Sequence, residues 1–133
     1  MVLKNIFMLY TRTTLAARYG ITTTSLKEWY SPAGVIPPRK KGGFFKEIDI
    51  EQLDFLCIAT RYVKVTKNEY QLNVLPMGGL SEYVLSSHKI PLKDFLLDPK
   101  YVNQEDEVVI EVLRRLENDA AYQSSGFTVE SAA

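Results

Sequence analysis

Basic and hydroxyl-bearing side chains that could bind a polyanion are gathered between residues 18 and 46. An Arg-Lys-Lys triplet at 39–41 stands between a proline pair and a glycine pair, which places these cations in a turn that can approach phosphates. Thr23, Thr24 and Lys27 share a short stretch with a leucine and the only tryptophan. If those two large apolar residues face a core, the threonines and the lysine face outward and can hydrogen-bond to base edges in a major groove. The candidate residues for contact with double-stranded DNA are Thr23, Thr24, Lys27, Tyr30, Arg39, Lys40, Lys41, Lys46 and Arg18, although the triplet at 39–41 taken alone is typical of a solvated loop.

Catalytic and metal-binding chemistry find little support in the sequence. The chain has one histidine, His88, and one cysteine, Cys57, so a hydrolase triad or a cluster of His and Cys metal ligands cannot be argued. Cys57 lies among Leu53, Leu56 and Ile58, a setting typical of a buried structural thiol. A Gly-x-x-x-x-Gly-Lys-Ser/Thr nucleotide loop is absent from the sequence. We therefore predict that the protein is not an enzyme and has no cofactor and no metal site.

The hydropathy pattern gives no sign of a membrane protein. The sequence has no run of about 18 apolar residues, the length that a transmembrane helix needs. Residues 1–10 are apolar and rich in β-forming residues, but no small-residue cleavage site follows them. We predict a strand or extended arm there rather than a signal peptide. The expected location is the cytoplasm.

Two short helices joined by a glycine turn are the elements that must position the proposed interface. Thr13 or Thr14 can cap a first helix that ends at Tyr19, and residues 22–25 offer hydroxyl caps for a second helix that ends at Tyr30. Helix, turn containing glycine and helix together form a helix-turn-helix signature. After the basic turn, residues 44–48 can run back as a strand, which makes a wing. Asp49 is then expected to cap a third helix.

These residues resemble the MerR-type winged helix-turn-helix family in their order and spacing over residues 10–60, which is under half of the chain. The residues that carry the resemblance are Tyr10, Leu15-Ala16, Gly20-Ile21, Ser25-Leu26-Lys27-Glu28-Trp29-Tyr30, Gly34-Val35-Ile36-Pro37-Pro38-Arg39 and Phe45-Lys46-Glu47-Ile48-Asp49. The resemblance implies a recognition helix over 22–30, a basic wing over 39–46 that contacts DNA, and dimerisation through a later helix. It also implies a protein that is encoded by a bacterium or a phage and is associated with the nucleoid. The chain departs from the family pattern at Glu28, where relatives have an aromatic residue facing DNA, and at Lys27 and Lys46, which replace arginines.

Charge is distributed unevenly between the two halves of the chain. Residues 1–67 contain 11 Lys and Arg against 5 Asp and Glu, a net charge of +6, whereas residues 68–133 contain 5 against 11, a net charge of −6. Such asymmetry favours a polyanion-binding end and an acidic end that binds another protein. A solvated surface whose charges segregate by chance is the alternative.

The carboxyl-terminal half is predicted to be helical. Thr66 and Glu69 have the spacing of a capping box, which predicts a short helix before residue 75, although a hairpin over 62–75 is the alternative. Further helices are expected at 80–87 and after Pro91. The predicted fold is mainly α: a winged helix-turn-helix domain with a small β wing over 1–76, a helical region over 77–123 and a flexible tail over 124–133.

A helix predicted over 104–122 carries an apolar stripe at helical spacing. The stripe consists of Val109, Val112, Leu113, Leu116 and Ala120. It can pack on the chain's own domain or form a dimer seam, and the sequence favours neither. We name Val109, Val112, Leu113 and Leu116 as the expected dimerisation residues.

The function expected from these patterns is sequence-specific binding of double-stranded DNA by a homodimeric transcriptional regulator. The first alternative is an architectural DNA-binding protein of phage type, such as an excisionase or a terminase small subunit. The second is a protein-interaction module on a winged-helix scaffold, which Glu28 favours. Another protein bound through the acidic half is a further expected partner.

Overall fold

The computed structural model describes residues 10–30 and 45–124, and the side chains of Tyr30 and of residues 119–124 are outside that description. The described chain is mainly helical, as predicted. It divides into two compact units, residues 1–73 and 74–133. Within the described ranges, β structure is limited to one antiparallel bridge between Tyr10 and Phe45.

Helices α1 (Arg12–Tyr19) and α2 (Thr23–Tyr30) form a contacting pair in the first unit. The cap of α1 is Thr11 rather than Thr13 or Thr14, because Thr11 and Thr14 exchange backbone and side-chain hydrogen bonds in a capping box. Gly20 ends α1 in the left-handed conformation at φ 68°, which a glycine adopts without a steric penalty. The predicted glycine turn between the two helices is therefore present. Helix α1 begins at the residue that follows its Thr11 cap.

Helix α3 (Glu47–Ile58) continues as a π-helical turn, Ala59–Val63. The strand predicted over 44–48 is wrong at its second half, because Glu47 and Ile48 are already helical. Asp49 is also not the cap: it is the third residue of α3, and its carboxylate accepts a hydrogen bond from the Lys46 backbone N–H at 3.2 Å. That bond satisfies an N–H at the helix start, so the helix begins earlier than the sequence suggested.

Helix α4 (Lys67–Glu69) leads into a second π-helical turn, Tyr70–Val74, which crosses the boundary between the units. The capping box predicted for Thr66 and Glu69 is confirmed: the Glu69 N–H donates to Thr66 Oγ1 at 3.0 Å, and the Thr66 N–H donates to Glu69 Oε1 at 2.8 Å. A hairpin over 62–75 is excluded, because this stretch is largely helical.

The second unit contains helices α5 (Leu80–His88), α6 (Leu92–Leu97) and α7 (Glu107–Ser124). Helix α6 contacts both α5 and α7. The predictions of a helix from Leu80 and of a short helix after Pro91 are confirmed. The start predicted at 104 is wrong, because residues 104–105 form a turn and the Asp106 carboxylate caps α7 by accepting from the Val108 N–H at 2.9 Å.

Several predictions concern residues outside the described ranges. They are the arm over 1–9, the wing residues Arg39, Lys40 and Lys41, and the tail from 125 onward. Of the predicted wing, the structure describes Phe45, which is paired with Tyr10, and Lys46, which precedes α3.

Candidate nucleic-acid interface

Helix α2 presents a polar face to solvent and an apolar face to the interior. Leu26 is fully buried, whereas Thr23, Thr24, Lys27 and Glu28 are exposed. This is the arrangement that the sequence predicted for the two threonines and the lysine. The exposed groups are hydroxyl donors and acceptors, one amine and one carboxylate, so the face can form hydrogen bonds with base edges or phosphates.

The start of α2 is fixed by a side-chain cap. Thr22 Oγ1 accepts a hydrogen bond from the Ser25 N–H at 3.0 Å, and the Thr22 and Ser25 hydroxyls lie 3.1 Å apart. A hydroxyl in this position satisfies an N–H that has no partner within the helix. The first turn of α2, which holds Thr23 and Thr24, is therefore ordered by its own sequence.

The remainder of α2 is tied to neighbouring elements of the same unit. Trp29 is partly buried, and its ring lies 5.4 Å from the ring of Tyr19 on α1, tilted by 38°. Lys67 Nζ donates to the Glu28 carbonyl oxygen at 3.2 Å, which places a cation at the carboxyl-terminal end of α2, where the helix dipole is negative. Trp29 therefore joins α2 to α1.

Arg18 lies at an internal ion pair rather than on the exposed face. Its guanidinium binds the carboxylate of Asp54 on α3 in a bidentate manner, with Nε donating to Oδ1 at 3.0 Å and Nη2 donating to Oδ2 at 2.8 Å. The Arg18 side chain is 12% exposed and that of Asp54 is 0% exposed. DNA contact by Arg18 stays a prediction that this placement does not favour, and we leave Arg18 out of the interface proposed below.

The same carboxylate is shared with Tyr19, the next residue of α1. The Tyr19 hydroxyl donates to Asp54 Oδ1 at 2.7 Å and lies 3.4 Å from the Ile50 carbonyl oxygen. Arg18 Nη1 donates to the Tyr10 hydroxyl at 3.4 Å, so the network also reaches the residue that is bridged to Phe45. We call Tyr10, Arg18, Tyr19 and Asp54 the buried polar network.

Burial and the charge of Asp54 shift the pKa values of Arg18 and Tyr19. Burial of the Arg18 guanidinium disfavours its charged form, but the hydrogen bonds and negative charge of Asp54 outweigh burial and raise the pKa of Arg18. Burial raises the pKa of Tyr19, and the Asp54 charge and hydrogen bond raise that pKa further. Arg18 therefore remains charged and Tyr19 remains neutral at ordinary pH.

A second arginine holds the turn between α1 and α2. Arg61, on the π-helical turn after α3, donates from Nη2 to the Tyr19 carbonyl oxygen. Carbonyl groups at the end of a helix have no partner within it, and a cation there also interacts favourably with the helix dipole. Two arginines thus link α1 to the α3 segment. Arg18 of α1 binds α3, and Arg61, which follows α3, binds the end of α1.

The sequence did not single out Asp54 or Arg61. One signal was available for Asp54: it follows Ile50 by four residues and precedes Cys57 by three, so it shares a face of α3 with two buried apolar residues. A carboxylate on such a face requires a partner, because burial of an unpaired charge is costly.

The expected dimerisation residues fall into two groups. Val109 and Val112 are fully buried within the single chain, whereas Leu113 and Leu116 are partly exposed. Leu116 lines a groove of about 280 Å³ together with Leu85. The valine part of the stripe is therefore packed in the absence of a second chain, and only the leucine part is open to one.

No helix in the described part of the chain combines the length and apolar character needed to cross a bilayer. The described residues also contain no group of three or more His, Cys, Asp and Glu side chains placed to hold a metal ion.

Comparison with protein-family models, with curated proteins and with solved structures finds no match to this chain.

Proposed function

We propose that the protein binds double-stranded DNA in a sequence-dependent manner through α2, and that it acts as a transcriptional regulator. The observation that carries the proposal is the exposed face of Thr23, Thr24 and Lys27 on the second helix of a glycine-linked helix pair. In helix-turn-helix proteins the second helix enters the major groove and its amino-terminal residues contact base edges.

Two further features support this proposal. The half of the chain that contains α2 has a net charge of +6, which favours binding to a phosphate backbone. Lys46 is exposed at the start of α3, and the chain before it contains the predicted wing bases Arg39, Lys40 and Lys41. These cations would supply backbone contacts, while Thr23, Thr24 and Lys27 would read bases.

An exposed carboxylate on α2 favours a second candidate. Glu28 adjoins Lys27 and would face a polyanion at close range, where it costs affinity unless it accepts from a cytosine amine. A protein-interaction module on the same scaffold has no such cost. A phage-type architectural protein shares the proposed contacts and differs in the DNA site that it selects.

The test is selection of binding sites from a pool of randomised duplexes about three helical turns long, with wild-type protein compared with Thr24→Ala and Lys27→Ala. We expect each substitution to relax preference at particular base positions, at a cost of about 1–3 kcal/mol per lost contact. Lys100→Ala is the matched control, because Lys100 is exposed but belongs to the acidic second unit. It should leave the selected site unchanged.

Three outcomes would change the assignment. A loss of affinity that is uniform across base positions would place Thr24 and Lys27 on the backbone. A selected sequence that occurs in recombination or packaging sites, rather than in promoters, would favour the architectural role. Wild-type protein that shows no salt-dependent binding to any duplex would refute DNA binding and favour the interaction module.

A further inference from the structure

The buried carboxylate of Asp54 links the helix pair to α3. It contacts α1 at two consecutive residues, and accepts two hydrogen bonds from Arg18 and one from Tyr19. We infer that Asp54 is a positioning residue that sets the placement of α2, and thereby of the DNA-reading face, without itself contacting DNA. The part of this inference that concerns DNA rests on the proposed function.

A short series of contacts connects Asp54 to the exposed face of α2. Tyr19 Oη lies 2.7 Å from Asp54 Oδ1, and the Tyr19 ring lies 5.4 Å from the ring of Trp29. Trp29 follows Lys27 by two residues on the same short helix. A movement of the Tyr19 ring would therefore be transmitted to the helix that carries Thr23, Thr24 and Lys27.

The type of contact made by Asp54 restricts movement more than apolar packing does. A bidentate arginine–carboxylate pair is planar and directional, and the Tyr19 hydroxyl adds a third donor in another direction. Close-packed apolar side chains also resist movement, but their contacts have no preferred direction, whereas a shift of these polar groups breaks directional hydrogen bonds. Buried polar groups are accordingly associated in some proteins with a unique register.

The buried polar network also anchors the start of the helix pair, at Tyr10. Arg18 lies over the Tyr10 ring, with 5.6 Å between the guanidinium carbon and the ring centroid, and Arg18 Nη1 donates to the Tyr10 hydroxyl. The Tyr10 carbonyl accepts from the Phe45 N–H at 3.0 Å, two residues before α3. The segment from α1 through α2 is therefore anchored to α3 by its beginning as well as by Asp54.

Trp29 gives a readout of this placement that does not require DNA, because it is the only tryptophan in the chain. We would measure near-ultraviolet circular dichroism and acrylamide quenching of Trp29 fluorescence in Asp54→Asn. An asparagine in this site presents an amide N–H₂ toward Arg18 or Tyr19 donors, so at least one hydrogen bond is lost. We expect weaker near-ultraviolet signal and greater quenching, with far-ultraviolet signal retained.

Leu56→Ala is the matched control for loss of stability. Leu56 is fully buried on the same helix, and it lies about 200° around the helix from Asp54. At temperatures where both variants have the same free energy of unfolding, Leu56→Ala should leave the Trp29 signals as in wild type. An equal change in Leu56→Ala would overturn the inference, because Asp54 would then contribute only stability. Should Asp54→Asn fail to fold, Tyr19→Phe replaces it, since it removes one hydroxyl and keeps the ring against Trp29.

The DNA arm compares affinity for the selected duplex with affinity for a scrambled duplex of equal length. Asp54→Asn should reduce this ratio about tenfold, the equivalent of one lost base contact, while binding to the scrambled duplex and its salt dependence persist. An unchanged ratio would overturn the link between Asp54 and DNA reading. If wild-type protein selects no duplex but Trp29 responds as expected, the proposed function fails and the positioning role of Asp54 stands.

Discussion

Truncation of Asp54 should be among the most destabilising single changes in the first unit. Asp54→Ala removes the carboxylate and leaves the Arg18 guanidinium, of whose side chain 12% is exposed, without its charged partner. Removal of one member of a buried pair costs about 3–5 kcal/mol. The Tyr19 hydroxyl adds little to this figure, because it lies 3.4 Å from the Ile50 carbonyl oxygen and can keep that acceptor.

Urea denaturation followed by Trp29 fluorescence measures this loss. Trp29 belongs to the first unit and is the only tryptophan, so the signal reports unfolding of that unit alone. With a urea dependence of about 2 kcal/mol per molar, a loss of about 4 kcal/mol lowers the midpoint by roughly 2 M. The whole stability of a domain is about 5–15 kcal/mol, so the variant should remain folded but marginal.

A companion variant separates stability from positioning. Arg18→Met with Tyr19→Phe and Asp54→Leu replaces the polar groups by apolar ones, and such replacements are often neutral or stabilising by about 1–4 kcal/mol. We expect its urea midpoint to equal or exceed that of wild type. A cost under about 1 kcal/mol for Asp54→Ala alone would refute the reasoning, because that is the value of a solvent-screened surface pair.

Two other predictions concern pH and assembly. Burial raises the pKa of Tyr70 to about 12, so above pH 10 the unfolded chain loses a proton that the folded chain retains, and the free energy of unfolding falls as pH rises. The difference in that free energy between wild type and Tyr70→Phe should change by about 2 kcal/mol between pH 10 and pH 12, as measured by urea titrations at each pH. A pH-independent difference would place Tyr70 in solvent. Leu113→Glu puts a carboxylate on the partly exposed part of the α7 stripe, and sedimentation of the folded variant should show monomer if Leu113 belongs to a dimer seam. A variant that remains dimeric moves the interface elsewhere, and one in which α7 unfolds assigns Leu113 to the chain's own core.

Features that depend on near neighbours in sequence were predicted well. The capping box of Thr66 and Glu69 is confirmed because its hydrogen bonds join residues three apart. The turn at Gly20 was predicted for a similar reason, since the left-handed residue that ends a helix is usually glycine. Exposure of Thr23, Thr24 and Lys27 was predicted from the expectation that Leu26 and Trp29, in the same short stretch, face the core.

Features that depend on distant residues were missed or left open, and the reason is the same in each case. Arg18 and Asp54 are 36 positions apart in the sequence. The basic character of Arg18 therefore suggested a phosphate partner, whereas in the structure Arg18 binds a carboxylate of the same chain. The α7 stripe shows the same limit: periodicity identified Val109 and Val112 as one apolar face, but it carries no information about what covers that face. In both cases the side chain was identified as one that needs a partner, and its partner was set by tertiary structure. A carboxylate within an apolar helix face, as at Asp54, needs a cation or hydrogen-bond donors when that face is buried, so the helical period shows that a partner is required, whereas the tertiary fold selects Arg18 and Tyr19.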